Sequence, residues 1–399
     1  NYVTVNGLKE NTTYYYSVEK SGVRTPAEVY KTGSFENVKI LYVGDPQVGA
    51  SKGQPQGEGK LSADSGAANT AARNDRTLDA ALAQNPDLNF VISAGDQVNK
   101  TGKPKEEEYA AYLSADALKS LPVATTIGNH DSLNKDYSYH FNNPNPTDLG
   151  MTEAGGDYYY SYGPGLFIVL NTNNYNVAEH EQAIQKAVAN FPDTKWRIVT
   201  IHQDIYGSGL DHSDTDGMIL RTQLTPVFDK YDIDVVLQGH DHTYSRSKIL
   251  YGDGKSHGSY EFRLDETGLD YDWDHAYNNN TGESITLNPL SSDTAAVEAK
   301  DAFTADNKCY TIESSGKSVV TNPKGTLYMT ANSASGSKYY ELINSQQDYI
   351  EVRSQNWLPS YSVIDLTKDD FKITTYQITD EGKVENIDNT FTIHKTVNR

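Results

Sequence analysis

Six short runs of this chain are almost wholly apolar, and each stops at a polar residue: VKILYVGD, LNFVISAGD, VATTIGNH, LFIVLNT, RIVTIH and VVLQGHDH. They are too short for helices that bury one face. Nor do they alternate as half-exposed strands do. Continuous apolarity over so few residues describes strands buried on both faces. Stretches with helical spacing of apolar residues lie between several of them: NDRTLDAALAQ (74–84), EEEYAAYLSADALKSL (106–121), AEHEQAIQKAVANF (178–191) and ILRTQLTPVFDKY (219–231). Strands that alternate with helices predict a layered α/β domain.

The flanks read differently. Alternation at residues 2–5, a turn at Asn6-Gly7 and the apolar stretch 14–18 predict short antiparallel strands. The segment NTTYYYSV resembles the late strands of a fibronectin type III sandwich, corner tyrosine included. Such a sandwich needs about seven strands and about 100 residues. Residues 1–36 are therefore expected to be part of a domain that continues upstream, which would also account for the lack of a visible signal peptide. The main domain is expected over 37–380. Within it, 247–324 is polar, rich in Asp, Asn and Tyr, and reads as a partly irregular insertion. Beyond it, GTLYMTANS and a hairpin in YSVIDLTKDDFKITTYQIT read as β, and 381–399 as a last strand or tail.

Charge and cysteine content narrow the function. The 399 residues carry 34 Lys and Arg against 54 Asp and Glu, a net charge of −20. A chain this acidic has no general attraction for nucleic acid or anionic membrane, and a nuclease reading would need a basic stripe that the sequence lacks. An anionic substrate would need a local positive centre, which a bound metal can supply. With one cysteine, Cys309, no intrachain disulfide can form. No apolar run reaches the length of a membrane span.

The ends of the apolar runs converge on one chemistry. They deliver Asp45, Asp96, then Asn129, His130 and Asp131, then His202, and lastly His240 and His242. In open α/β sheets, the carboxyl ends of the strands are where sites form. A Gly-Asp pair after a strand usually marks only a turn, and a lone buried histidine is usually a satisfied core residue. Five such endings in one chain form an oxygen and nitrogen donor set suited to two divalent or trivalent ions. In two-metal hydrolysis a bridging hydroxide attacks while the metals clamp the phosphoryl oxygens.

The ordered series GDPQ, GDQVN, GNHD, IHQ and GHDH resembles the calcineurin-like metallophosphoesterase superfamily. Within it, the chain is similar to the purple-acid-phosphatase-like bacterial branch with an N-terminal fibronectin-like domain. The fold this implies is a two-sheet β-sandwich flanked by helices, of which the parallel run inferred above would be one part. The resemblance implies that Asp45 and His242 bind a first metal, that Asp96 bridges, and that Asn129, His202 and His240 bind a second. His130 would protonate the leaving group or hold the phosphate, with Asp131 steering its ring. Two positions depart from the pattern. Gln47 stands where most of the superfamily has histidine, and Asn99 where purple acid phosphatases have tyrosine. Either amide could donate an oxygen to the first metal, or water could fill the gap. Without a phenolate there is no charge-transfer colour, and tolerance of Mn, Fe(II) or Zn is expected alongside weaker retention of Fe(III). His212 is in a loop that could face substrate, and Tyr244 and Arg246 read as structural support.

The expected activity is hydrolysis of phosphate esters, monoesters before diesters, on a small phosphorylated substrate outside the cell or at its surface. Attachment there would run through flanking regions. The rival reading is a degenerate, non-catalytic domain that binds metal or a cell-wall phosphate polymer. The insertion is expected to shape the substrate pocket.

Overall fold

Seven strands make each of two sheets in the computed structural model, which describes residues 2–50, 67–210, 212–213, 216–268 and 270–397. In one sheet the order is Ile350–Ser354, Tyr244–Ser247, Leu327–Thr330, Val235–Gln238, Trp196–Thr200, Gly165–Val169, Tyr158–Tyr162. Its four central strands, from Leu327–Thr330 to Gly165–Val169, run parallel, and antiparallel strands flank them. In the other the order is Val319–Thr321, Val384–His394, Asp370–Ile378, Ser360–Leu366, Val38–Val43, Phe90–Ser93, Val123–Thr125. Here Val38–Val43, Phe90–Ser93 and Val123–Thr125 are parallel, whereas Ser360–Leu366 opens an antiparallel meander.

The sheets pack face to face, and this is why the strand sequences look continuous. Ile40 and Tyr42 point into the core between the sheets, with Ile198, Val235 and Leu237 from the opposite side. Their neighbours Leu41 and Val43 point outward, into a second core under the helix Ala67–Gln84. Val199 and Val236 likewise face outward, under the helices Val177–Asn190 and Asp216–Lys230. Each strand has two buried faces, so neither set of alternate residues can be polar.

Several elements differ from expectation. The stretch 106–121 breaks into the helix Glu106–Tyr112 and a 3-10 turn Asp116–Lys119. Four strands of the two sheets escape a search for apolar runs: Tyr158–Tyr162, Tyr244–Ser247, Val319–Thr321 and Ile350–Ser354. Residues 2–5 form no strand. Instead Thr13–Tyr16 pairs with Glu28–Lys31, and Glu19–Lys20 with Val23–Arg24, in two small antiparallel pairs. The insertion is more regular than its composition suggests. It holds a three-stranded sheet and the helix Thr294–Asp306, and Phe262, Ala276, Leu287 and Phe303 pack against Met218 and Ile219. Val384–His394 lies inside the second sheet, so a division at residue 380 falls within a hairpin. Among the described residues, no helix is long and apolar enough to cross a membrane.

Candidate metal centre

Strands of both sheets end at one place. Asp45, Asp96 and Asn129 follow Val38–Val43, Phe90–Ser93 and Val123–Thr125 of one sheet, and His202 and His240 follow Trp196–Thr200 and Val235–Gln238 of the other. Donor atoms of Asp96, His202 and His240 lie within 4.8 Å of one another, all buried. His202 Nε2 stands 3.0 Å from Asn129 Oδ1, 3.2 Å from His240 Nδ1 and 3.4 Å from Asp96 Oδ2. Donors held about 2.1 Å from a common ion would be about 3.0 Å apart in an octahedron and about 3.4 Å apart in a tetrahedron. These four residues therefore fit one metal position. Beside them, His242 Nε2 is 3.6 Å from Asp45 Oδ1. Asp45 also accepts the His240 amide, which ties the two ligand loops together.

Two of the three imidazoles are held by their other nitrogen. His202 Nδ1 bonds Ala94 O at 2.8 Å, and His242 Nδ1 bonds Lys338 O at 2.8 Å. A carbonyl partner makes that nitrogen the N–H and leaves the lone pair on Nε2, facing the centre. Close approach explains the glycines of the motifs. A methyl group on Gly128 would collide with the Asp96 carboxylate and amide, and one on Gly95 with the His202 ring.

The charges in the centre call for a cation. Burial pushes Asp45 well above the usual carboxylate range, against the pull of His202. Burial also opposes ionisation of Asp96, but the nearby imidazoles of His202 and His130 prevail and hold it far below that range. His202 is disfavoured as a cation by burial, yet Asp96 overrides this and raises it to about 9. Burial and Lys338 push His242 well below the ordinary histidine value. A bound cation would ionise both carboxylates and leave the imidazoles neutral.

The two departures from the pattern sit together. Gln47 Nε2 donates to Asn99 Oδ1 at 3.3 Å and lies 3.0 Å from His130 Nε2. Gln47 Oε1 is buried and has no hydrogen-bond partner, as suits an oxygen kept for a metal. Of the two amides, Gln47 is thus the one with a donor oxygen to spare.

His130 borders this group, its side chain 21% exposed where that of Asp96 is 2%. Its Nδ1 bonds Asn99 O, with Thr101 Oγ1 at 3.1 Å, and its Nε2 lies 4.0 Å from Asp96 Oδ2. Asp131 does not steer this ring. Its carboxylate instead accepts Gly128 N at 3.0 Å, Gln97 N at 3.3 Å and the Tyr109 hydroxyl at 2.7 Å. It braces the backbone from which Asn129 and His130 project. His212 does reach the centre, its ring stacked on His240 at 3.8 Å between centroids.

Sequence reasoning gave no role to Asp241, Lys338 or Tyr340. Asp241 accepts Gly209 N at 2.7 Å and His212 N at 3.3 Å, so it pins the His212 loop. The Tyr340 ring packs on His242 and His212, at 5.2 and 5.5 Å between centroids. Among the described residues, Ser333 and Lys338 bond directly to the candidate ligands Asp45 and His242, Gly209 and His212 bond to Asp241 between two of them, and no hydrogen bond joins the insertion to Asp45, Asp96, Asn129, His202 or His242. The carboxylate of Asp241 between two histidines was a signal within reach. Lys338 and Tyr340 carry none, because nothing in their sequence neighbourhood marks a site.

Comparison with known proteins agrees with this geometry. The family model for calcineurin-like phosphoesterases matches residues 38–244, just over half of the chain. The chain belongs to the calcineurin-like phosphoesterase family. The matched span covers every candidate metal ligand of this phosphoesterase, from Asp45 to His242. It is 35% identical over 91 residues to the Fe(3+)-Zn(2+) purple acid phosphatase 12 of Arabidopsis thaliana, covering 23% of this chain and 17% of that one. It is 27% identical over 123 residues to an uncharacterised protein of Mycobacterium tuberculosis, 26% of this chain and 23% of that one. The match thus spans less than a quarter of the length of either curated relative. Among solved structures, the purple acid phosphatase PPD1 from yellow lupin (Lupinus luteus) superposes with a TM-score of 0.55 at 12% identity, covering 97% of this chain and 60% of that one. PhoD superposes at 0.52 with 12% identity, covering 98% and 80%. These two likenesses show a shared fold, the two-sheet sandwich expected from the motifs.

Proposed function

We propose that this phosphoesterase hydrolyses small phosphate monoesters at a two-metal centre. The observation that carries the reading is the convergence of Asp96, Asn129, His202 and His240, with Asp45 and His242 beside them and His130 at the accessible border. Asp45, His242 and the Gln47 amide oxygen would hold the first ion, and Asn129, His202 and His240 the second, with Asp96 shared. Iron, manganese and zinc all suit this donor set. Bound there, two ions supply an activated water and neutralise phosphoryl charge.

The protein's own groups supply the rest. Asp96 faces both His202 and His130, so one carboxylate links the metal donors to the acid. Asn99 O and Thr101 fix the His130 ring by Nδ1, which directs Nε2 toward the place where a leaving oxygen would depart. His212, stacked on His240, is placed to meet the substrate. Location outside the cell or at its surface, and a fibronectin-like origin for residues 1–36, belong to this proposal. Fractionation of the source cells tests the first. The antiparallel pairing of Thr13–Tyr16 with Glu28–Lys31 supports the second.

The test is hydrolysis of a chromogenic monoester and its diester side by side, after loading with Mn, Fe or Zn. The monoester is expected to be cleaved faster, and His130→Ala to lose about 100-fold or more in kcat. Faster diester cleavage would make the protein a phosphodiesterase, and no cleavage with any metal would favour the binding-module reading. The iron-loaded form is expected to lack a visible phenolate band, and absorption spectra check this.

A further inference from the structure

We propose that Lys338 is a specificity determinant of this site, a fixed cation that favours a dianionic phosphate over a monoanionic one. The inference rests on the phosphoesterase reading above. Lys338 lies in a segment stitched to both groups of metal ligands. Ala334 N bonds Gly44 O at 2.8 Å, Ser333 Oγ bonds Asp45 O at 2.8 Å, and Ser335 Oγ bonds Pro46 O at 2.6 Å. On the other side, the Lys338 carbonyl holds His242 Nδ1, and Gln355 Nε2 bridges His242 O and Tyr340 O at 2.8 and 2.6 Å. The lysine's position is thus set by the same bonds that set the ligands.

Its side chain is set as well. The ammonium lies 4.5 Å from the centre of the Tyr340 ring, and that ring packs against His242 and His212. Its charge is felt at Asp45, where it favours the carboxylate, and at His242, where it favours the neutral ring. Among the described residues, no carboxylate forms an ion pair with Lys338. Two other cations near the centre are committed elsewhere. Lys105 Nζ donates to the carbonyls of Lys100 and His130, and Arg246 pairs with Asp388 at 2.7 Å.

An unpaired ammonium beside a metal centre has a specific consequence in a chain of charge −20. The overall field opposes anions, and it opposes a dianion more than a monoanion. A local cation offsets that most for the dianion. Above about pH 7 a phosphate monoester carries nearly two charges and a diester one. Lys338 would therefore tilt the site toward monoesters and toward inorganic phosphate as an inhibitor.

The experiment compares wild type, Lys338→Met and Lys338→Arg, each loaded with manganese and checked for metal content. Hydrolysis of 4-nitrophenyl phosphate and bis(4-nitrophenyl) phosphate is measured at about pH 7.5, with inhibition by inorganic phosphate. Because the bond to His242 comes from the backbone carbonyl, neither substitution removes it. Lys338→Met is expected to lose about tenfold in kcat/KM for the monoester, mainly through KM, and to bind phosphate more weakly by a similar factor. The diester should change less, and Lys338→Arg should recover most of the loss. Equal effects on both esters, or none, would overturn the proposal while leaving the phosphoesterase reading intact. If wild type cleaves neither ester, that reading fails. Calorimetric titration of the metal-loaded proteins with phosphate then decides Lys338 alone, and equal affinities for wild type and Lys338→Met would overturn it.

Discussion

At the scale of single residues, the centre is built from backbone that most side chains avoid. Asp45, Gln47, Asp96, His240 and His242 all have positive φ, between +39° and +72°. Each such residue costs of order 1–3 kcal/mol and persists only where its surroundings over-determine it. Here the loops hold one another: Gln47 N bonds Asp96 O at 2.7 Å, and His240 N bonds the Asp45 carboxylate. The strain aims five side chains inward from three chain segments at once. Gln47 is the informative position, since its free amide oxygen is a weaker donor than imidazole for zinc. Gln47→His is therefore expected to retain more zinc through gel filtration, moving from below two ions per chain toward two. Elemental analysis of the eluted protein checks this, and an unchanged zinc content would mean that Gln47 does not face the first metal.

At the scale of elements, a charged bridge crosses between the sheets. Arg246 Nε and the Tyr244 hydroxyl both bond Asp388 Oδ2, at 2.7 and 2.6 Å, with Arg246 Nη2 at 3.3 Å from Oδ1. Tyr244–Ser247 belongs to one sheet and Val384–His394 to the other, and both charged side chains are 8% exposed. The bridge begins two residues after His242, so it anchors the strand that leaves the centre. Removing one partner strands a buried charge. Asp388→Ala is expected to cost about 3–5 kcal/mol, read as a lower urea midpoint. Arg246→Met combined with Asp388→Leu should recover part of that, because no unpaired charge remains. If the double variant were less stable than Asp388→Ala, charge burial would not be the cause.

For the whole molecule, the centre works as a clasp. Asp45, Asp96 and Asn129 come from one sheet, and His202 and His240 from the other, so any ion between them joins the two halves of the sandwich. A ligand that binds only the folded state stabilises it by about 2.7 kcal/mol at 100 times its Kd. Chelation is expected to lower Tm by at least about 2–4 °C, with recovery on adding manganese or zinc. Scanning calorimetry before and after dialysis against a chelator checks this. A Tm indifferent to chelator would argue against a metal that bridges the sheets.

Much of this architecture was legible in the chain itself. Apolar runs such as VKILYV and VVLQ have two buried faces, and burial on both faces forces continuous apolarity, so strand positions and the layered class could be read locally. The candidate ligands were legible for a related reason: each sits just past a strand end, where a polar residue, accompanied by glycine at every one but His202, interrupts the apolar pattern. Tyr158–Tyr162, Tyr244–Ser247 and Ile350–Ser354 were hidden because they carry polar or aromatic residues at positions that only the neighbouring strand defines. The division of the strands into two sheets, the true partners of Asp131, and the placement of Lys338 and Tyr340 beside the centre came from tertiary structure alone. Residues 333–343 are distant in sequence from the ligands they hold, and no local pattern records a bond across roughly 100 residues such as that from His242 to Lys338. Local chemistry thus determined which side chains could bind a metal, and chain packing determined what surrounds them.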